Sequence, residues 1–326
     1  MLLVTGGAGF IGSNVVASLD EAGHTDIVVN DILGSGGKWR NLAAHRLADF
    51  VPPADLARWL EGRKLDAVVH MGAISSTAET DVDALMENNF RLSLRLFEWC
   101  GETRTPFIYA SSAATYGDGT AGFSDDWSGS ALARLKPMNA YGWSKHLFDR
   151  AVVARAARKA KLPPQWAGLK FFNVFGPNEY HKAEMMSLVA KRFDEAKSGK
   201  PIRLFKSYRD GIADGEQKRD FIYVDDAVAV VRWLLETPGV SGIFNVGTGR
   251  ARSFRELITA MFAALGLPPR IEYIDMPESI RETYQYFTQA EVGSLRRAGY
   301  NADFATLEDG VKRYVSGYLD RAGRYR

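Results

Sequence analysis

Hydrophobic residues make up 46% and charged residues 25% of a 326-residue chain whose formal net charge is +2. Those values lie near the averages for folded globular proteins, so they exclude disordered, collagen-like and disulfide-scaffold chains, and the net charge is too small to mark a nucleic-acid surface. The single cysteine, Cys100, allows no internal disulfide, and the chain lacks both an apolar run of the ~20 residues that span a membrane and a charged, cleavable leader, so the cytosol is the expected setting.

The first predicted strand, Leu2 to Thr5, runs into Gly6-Gly7-Ala8-Gly9-Phe10-Ile11-Gly12 and a helix beginning near Phe10. Glycines at 6, 9 and 12 permit a tight turn, close approach of backbone to a pyrophosphate and close helix-on-strand packing, with the helix N-terminus facing the negative charge. A second strand, Ile27 to Asn30, ends at Asp31, where a carboxylate suits ribose hydroxyls. Lys38 and Arg40 follow, and a cation there suits a 2′-phosphate, which favours NADP over NAD. The blander readings are a ligand-free turn, a turn cap and solvated cations.

Further strands are predicted at Ala67 to His70, Phe107 to Ala110 and Leu169 to Phe172. Between them, Asp83 to Trp99 carries Leu85, Met86, Leu92, Leu96 and Trp99 near a helical period, and Tyr141 to Lys161 reads as a long alanine-rich helix. The alternation predicts βαβ units and a parallel sheet covered on both faces. After Asn173 prolines break the rhythm and a second lobe begins, yet Val224 to Glu236 and Ile243 to Val246 look like sheet-lobe elements. The expected division is therefore a cofactor-binding domain over 1–173, to which 220–249 returns, and a substrate lobe over most of 174–326. Ser207 to Lys218 has the composition of a surface loop, and Asp225 and Asp226 read as the N-cap and first-turn acids of the helix they precede.

Tyr141-Gly142-Trp143-Ser144-Lys145 puts tyrosine and lysine on one helix face. Upstream, Ser111-Ser112-Ala113-Ala114-Thr115-Tyr116 follows a buried strand, so its hydroxyls emerge at the carboxyl edge of the sheet, where ligands bind in open α/β folds. A phenol is a poor base at neutral pH; the Lys145 ammonium and a positive nicotinamide would stabilise the Tyr141 phenolate, while Ser112 aligns the reacting oxygen. Ser111, Thr115 and Tyr116 are as readily read as strand-end hydroxyls satisfied by backbone. The five histidines form no ligand-spaced cluster, so no metal is expected.

With these segments and Arg219-Asp220-Phe221 in this order, the chain resembles the extended short-chain dehydrogenase/reductase family acting on nucleotide sugars. Phe172-Asn173-Val174-Phe175-Gly176-Pro177, His181-Lys182, Ser241 to Arg250 and Tyr284-Gln285-Tyr286-Phe287-Thr288-Gln289-Ala290 bring it closest to the ADP-L-glycero-D-manno-heptose 6-epimerase family. That resemblance implies a Rossmann-type doubly wound parallel sheet with a smaller α/β substrate lobe. It implies transient oxidation and re-reduction at C6 of an ADP-heptose by bound NADP, in a homo-oligomer, with a pentamer among the forms open, feeding lipopolysaccharide synthesis. Inversion requires a proton donor or acceptor on each face, and the resemblance assigns the second role to Lys182. It also places Phe10, Ile11, Ile32, Met71, Gly72, Ala73, Ile74, Ser75, Asn88, Val174 and Lys182 at the cofactor. Asn173, Glu184, Lys191, Phe205, Lys206, Ser207, Arg219 and Tyr284 it places with Ser112 at the substrate, Arg219 being suited to the diphosphate.

The chain departs from the family pattern at Pro53, where a lysine near the adenosine phosphate is common, which leaves NAD open. It departs also at Met71, at Glu184 and in a longer loop over 207–217. Three rivals stand beside this reading: a UDP-sugar 4-epimerase or reductase using the same Ser112, Tyr141 and Lys145, a 4,6-dehydratase, and a non-catalytic cofactor-binding protein. Dehydratases use an Asp-Glu pair directly after the hydroxyl residue, and here those places are Ala113 and Ala114.

Overall fold

The computed structural model describes residues 1–158, 160–281 and 284–326. Its strands, in chain order, are β1 (Leu2–Thr5), β2 (Ile27–Asn30), β3 (Asp49–Val51), β4 (Ala67–His70), β5 (Phe107–Ser112), β6 (Trp166–Phe171), β7 (Asn173–Phe175), β8 (Ile202–Phe205), β9 (Lys218–Tyr223), β10 (Gly242–Val246), β11 (Ala251–Ser253) and β12 (Ile271–Ile274). Seven of them form one sheet in the order β10-β6-β5-β4-β1-β2-β3. Every pairing in it is parallel.

Alternate side chains build two apolar layers, as the period of a strand requires. Leu2, Val4, Ile27, Val29, Ala67 and Val69 enter a core with helices Phe10–Glu21, Val224–Glu236 and Phe254–Ala264. Leu3, Val28, Val68, Phe107 and Tyr109 enter the other, with helices Leu92–Thr103 and Ala140–Ala157. Strands buried on both faces tolerate no polar alternation, which is why these runs read as continuously apolar. Strand order reverses between β1 and β4, so their carboxyl ends open a crevice at the switch point, the place where doubly wound sheets take ligands.

The remaining strands belong elsewhere. β9 pairs antiparallel with β11 and parallel with β7, while β8 pairs with β12. Only Phe172 separates β6 from β7, so the chain passes from the large sheet to the three-stranded one within a single residue.

Two local expectations need correction. The helix expected over Asp83 to Trp99 is interrupted: Val82–Leu85 and Leu92–Thr103 are joined by a π-helical turn, Met86–Arg91. The widened turn faces Asn89 inward to polar partners, a use common to such bulges. At Val224–Glu236 the N-cap position is Tyr223, and Asp225 and Asp226 are both first-turn acids. Asp225 accepts from Arg326 and Asp226 from the Ala305 amide, which draws both side chains away from a capping role. Among the described residues no helix is long and apolar enough to cross a membrane.

Candidate active site

The crevice at the switch point is built by backbone. A Cβ on Gly12 would lie 2.1 Å from the Gly6 carbonyl oxygen, and one on Gly6, at φ +65°, 2.5 Å from the Gly72 nitrogen. Glycine at these positions lets helix Phe10–Glu21, the loop after β1 and the loop after β4 meet without side chains. The Gly9 N-cap supplies no side-chain bond and the first turn holds no acid, so the leading amides are left for an anion.

Asp31 lies beyond β2, accepting from the Ala8 amide at 2.8 Å, the Ile32 amide at 2.6 Å and Lys38 Nζ at 2.6 Å. Lys38 also donates to the Ile32 carbonyl at 2.9 Å, and the Ile32 side chain stands exposed beside them. On the opposite wall, the Met71 amide bonds the Thr5 carbonyl, and Ala73 and Ser75 are exposed at the rim. Asn89 accepts from the Ile74 amide and donates to its carbonyl, both at 2.9 Å, and reaches Ser144 Oγ at 3.0 Å. Asn88, the expected cofactor contact, is exposed and donates to the Ala84 carbonyl one turn back. Glycine cradle, open helix N-terminus and paired Asp31 and Lys38 together fit an adenine dinucleotide.

The helix Ala140–Ala157 starts at Asn139, whose side chain accepts from the Gly142 amide at 2.8 Å. Tyr141 and Lys145 then share the face turned toward the end of β5. Burial pushes the Tyr141 phenol above its ordinary value, while the adjacent Ser112 hydroxyl acts the other way, favouring the phenolate. Lys145 Nζ donates to the Ala110 carbonyl at 3.0 Å. Burial pushes it down to about 8, opposed by Asp149. His70 is spanned by Thr5 Oγ1 at 2.6 Å and Ser93 Oγ at 2.8 Å, and burial holds it neutral, pushed down to about 3. Its role is structural.

Lys182 comes from the opposite side, on the short helical segment Tyr180–Met185. Its ammonium lies 5.2 Å from the centre of the Phe10 ring, at the glycine loop. Burial lowers its pKa, and the neighbouring Glu179 carboxylate resists this. Asn41 fastens the segment to the cofactor crevice, donating to the Ala8 carbonyl at 2.9 Å, to the Asn178 carbonyl at 3.1 Å and meeting His181 Nδ1 at 3.3 Å. Ala183 adopts φ 47°, ψ −118°, a conformation favoured only by glycine.

Asn173 opens β7 and is exposed at the seam between the sheets, with Val174 half-buried behind it. Arg219, on β9, is buried with its guanidinium between the rings of Tyr284 at 5.4 Å and Phe254 at 5.6 Å. It bonds the Lys218 carbonyl and, among the described residues, no carboxylate pairs with it. A buried cation flanked by aromatic faces is suited to an incoming anion. Phe205 meets Tyr284 edge-on at 6.3 Å, placing these two expected contacts beside Arg219. Of the other expected residues, Glu184 and Lys191 pair with one another at 2.7 Å, and Lys206 pairs with Asp275 at 3.1 Å. The Ser207 amide donates to Asp214 at 2.7 Å, closing the base of the 207–217 loop.

Sequence reasoning missed several supports. Gln285 donates to the Gly117 carbonyl at 2.7 Å and joins the Tyr284 segment to the Ser112 loop. Asp220 is buried and accepts from Thr248, Gly249 and Ala290 amides. Its place between Arg219 and an apolar strand was the available signal. Among the described residues no group of three or more metal-ligating side chains is assembled.

The family model described as "NAD dependent epimerase/dehydratase family" matches residues 2–247. A curated relative named ADP-L-glycero-D-manno-heptose-6-epimerase, from Nitratidesulfovibrio vulgaris, is 53% identical over 99% of both chains. One of the same name from Fusobacterium nucleatum is 44% identical over the full length of both. The crystal structure of the Helicobacter pylori ADP-L-glycero-D-manno-heptose-6-epimerase superposes with a TM-score of 0.80 at 28% identity, covering 97% of this chain and 95% of that one.

Proposed function

Because the chain belongs to the NAD dependent epimerase/dehydratase family, we propose that it converts ADP-D-glycero-D-manno-heptose to ADP-L-glycero-D-manno-heptose by inversion at C6. The observation that carries this reading is the pairing of two proton-transfer groups from different elements. Tyr141 lies against Ser112 on the β5 side, and Lys182 lies at the glycine loop on the other. A reductase, or a 4-epimerase that turns its ketone before one base, needs only the first; inversion with a separate proton group for each orientation of the oxygen uses both.

Bound NADP supplies a group that accepts and returns hydride. Tyr141 takes the C6 hydroxyl proton in one orientation, aided by Ser112, which bonds the oxygen as hydroxyl and as carbonyl. The buried Lys145 ammonium favours the phenolate that Tyr141 must form. Lys182, with its ammonium made more acidic by burial, protonates the oxygen presented in the other orientation. Arg219 holds the diphosphate and Asn173 orients the sugar at the seam, while Tyr284 and Phe205 border the nucleotide. NADP is favoured by Lys38, whose amine stands beside the ribose carboxylate Asp31. On this reading 1–173 with 220–249 forms the cofactor domain, the rest of 174–326 serves the sugar nucleotide, and the protein works in the cytoplasm as a homo-oligomer, whose size light scattering measures.

The test is proton NMR of ADP-D-glycero-β-D-manno-heptose incubated with purified protein and no added cofactor. Growth of the L-glycero epimer is the expected result. An unchanged spectrum, repeated with NADP and then NAD, would overturn the heptose assignment.

A further inference from the structure

Behind the Tyr141 and Lys145 face lies a buried ion pair that the reaction scheme does not use. Asp149, two helical turns beyond Tyr141, stands 3.3 Å from Lys170 Nζ on β6, and both side chains are essentially inaccessible. The Asp149 carboxylate also accepts from Tyr109 at 3.0 Å and from Ser111 at 2.7 Å, residues that flank Ala110 on β5. Ala110 is the residue whose carbonyl receives Lys145. Lys170 in turn donates to Thr115 Oγ1 at 2.7 Å, and Thr115 donates to the Ser112 carbonyl at 2.8 Å. Residue 168 makes room for this web: a Cβ there would lie 2.4 Å from the Tyr109 hydroxyl oxygen, so only glycine lets that ring cross β6 to reach Asp149.

We infer that Asp149 is a positioning residue of the reaction centre, its carboxylate fixing the end of β5 that presents Ser112 and supplying the negative charge that keeps Lys145 an ammonium. The inference rests on the reading of Tyr141, Ser112 and Lys145 as the proton-transfer set. One carboxylate serves two buried lysines, since Lys145 has no acid in ion-pair contact among the described residues. At low dielectric such a charge acts strongly across one helical turn. The groups facing Asp149 are Tyr109 and Ser111 from β5, Tyr116 from the turn after it, Lys170 from β6, and Lys145 and His146 from its own helix; Arg150 acts on His146, and Asp125 acts on Lys170 from the loop beyond. Burial holds His146 neutral, pushed down to about 4.

A fold-maintaining ion pair alone would make a different prediction, and Asp149→Asn/Lys170→Met separates the two. Removing both charges of the pair avoids stranding the Lys170 ammonium, the main reason Asp149→Asn by itself would fail to fold. The Lys145 titration is read from its ε-carbon NMR resonance, assigned by its loss in Lys145→Met, in protein without sugar. We expect its midpoint to fall in the double variant, by less than the loss of the carboxylate alone would give, because removing the Lys170 cation acts the other way while Asp149 is the group one turn away on the same helix. The alkaline limb of turnover should move down with it, and Asp149→Glu should restore part of the shift. A folded double variant whose Lys145 titrates where the parent's does would overturn the proposal. Because the titration needs no substrate, an error in the heptose assignment leaves this outcome unaffected.

Discussion

Lys38 Nζ and Asp31 Oδ1 lie 2.6 Å apart at the open end of the cofactor crevice. The carboxylate suits the adenosine ribose and the ammonium a phosphate on it. Lys38→Ala should weaken NADP by about tenfold or more, the size of a hydrogen bond to a charged group, and leave NAD nearly unchanged. Titrations of both cofactors into stripped protein measure this, and equal losses would remove Lys38 from phosphate recognition.

Tyr141→Phe and Lys182→Met should each slow epimerisation by about a hundredfold or more, the scale of a lost general acid or base, while cofactor stays bound. In this scheme the ketone and the reduced cofactor stay in one site, so a mixture of the two variants should not recover activity. Epimer formation by NMR and bound cofactor by absorbance are the paired measurements. A normal turnover in Lys182→Met would reassign the second base.

The alkaline side of the pH profile follows from Lys145. Its folded-state pKa is pushed down to about 8, below the ordinary lysine value, because burial disfavours the ammonium. In the proposed mechanism the charged form assists Tyr141, and it is lost as pH rises through that value. Turnover should therefore fall above about pH 8, and Lys145→Arg, which stays charged, should carry its residual activity to higher pH. A flat profile up to pH ~10, the ordinary range of a lysine, would deny Lys145 this role.

Ala183 sits beside Lys182 at φ 47°, ψ −118°, where a Cβ is strained. Such residues cost about 1–3 kcal/mol. Glycine relieves that strain but adds ~0.4–1 kcal/mol of unfolded-state freedom. Ala183→Gly should thus stabilise the protein by roughly 1 kcal/mol, raising Tm by about 2 °C. A lower Tm would mean that the methyl group contributes packing that outweighs the strain.

Much of the sheet was legible because its strands are buried on both faces and read as unbroken apolar runs. The glycine loop was legible because its spacing carries its geometry. The π-helical turn was not: a helical period survives one inserted residue, and nothing in the doubled Asn88-Asn89 says which turns inward. Lys170 gave a signal in the form of a charge between Leu169 and Phe171 in a buried strand, and Asp149 gave one by sharing the helix face of Tyr141 and Lys145. Their pairing needs the register that sets Ser111 opposite Lys170, which no local pattern encodes. The ion pairs of Glu184 with Lys191 and of Lys206 with Asp275 likewise depend on how separate elements meet, which no local pattern encodes.

The passage from β6 to β7 through Phe172 alone works as a ruler. Phe171 stands opposite Ser112 in the sheet, and Asn173 is only two residues further on, so the distance from Ser112 to Asn173 is set by one strand pairing and two peptide links. The stretch between β8 and β9, by contrast, is a loop closed by bonds such as Ser207 to Asp214, and no strand pairing among the described residues fixes its length. A protein built this way separates the part of its site that must stay calibrated from the part that is free to drift.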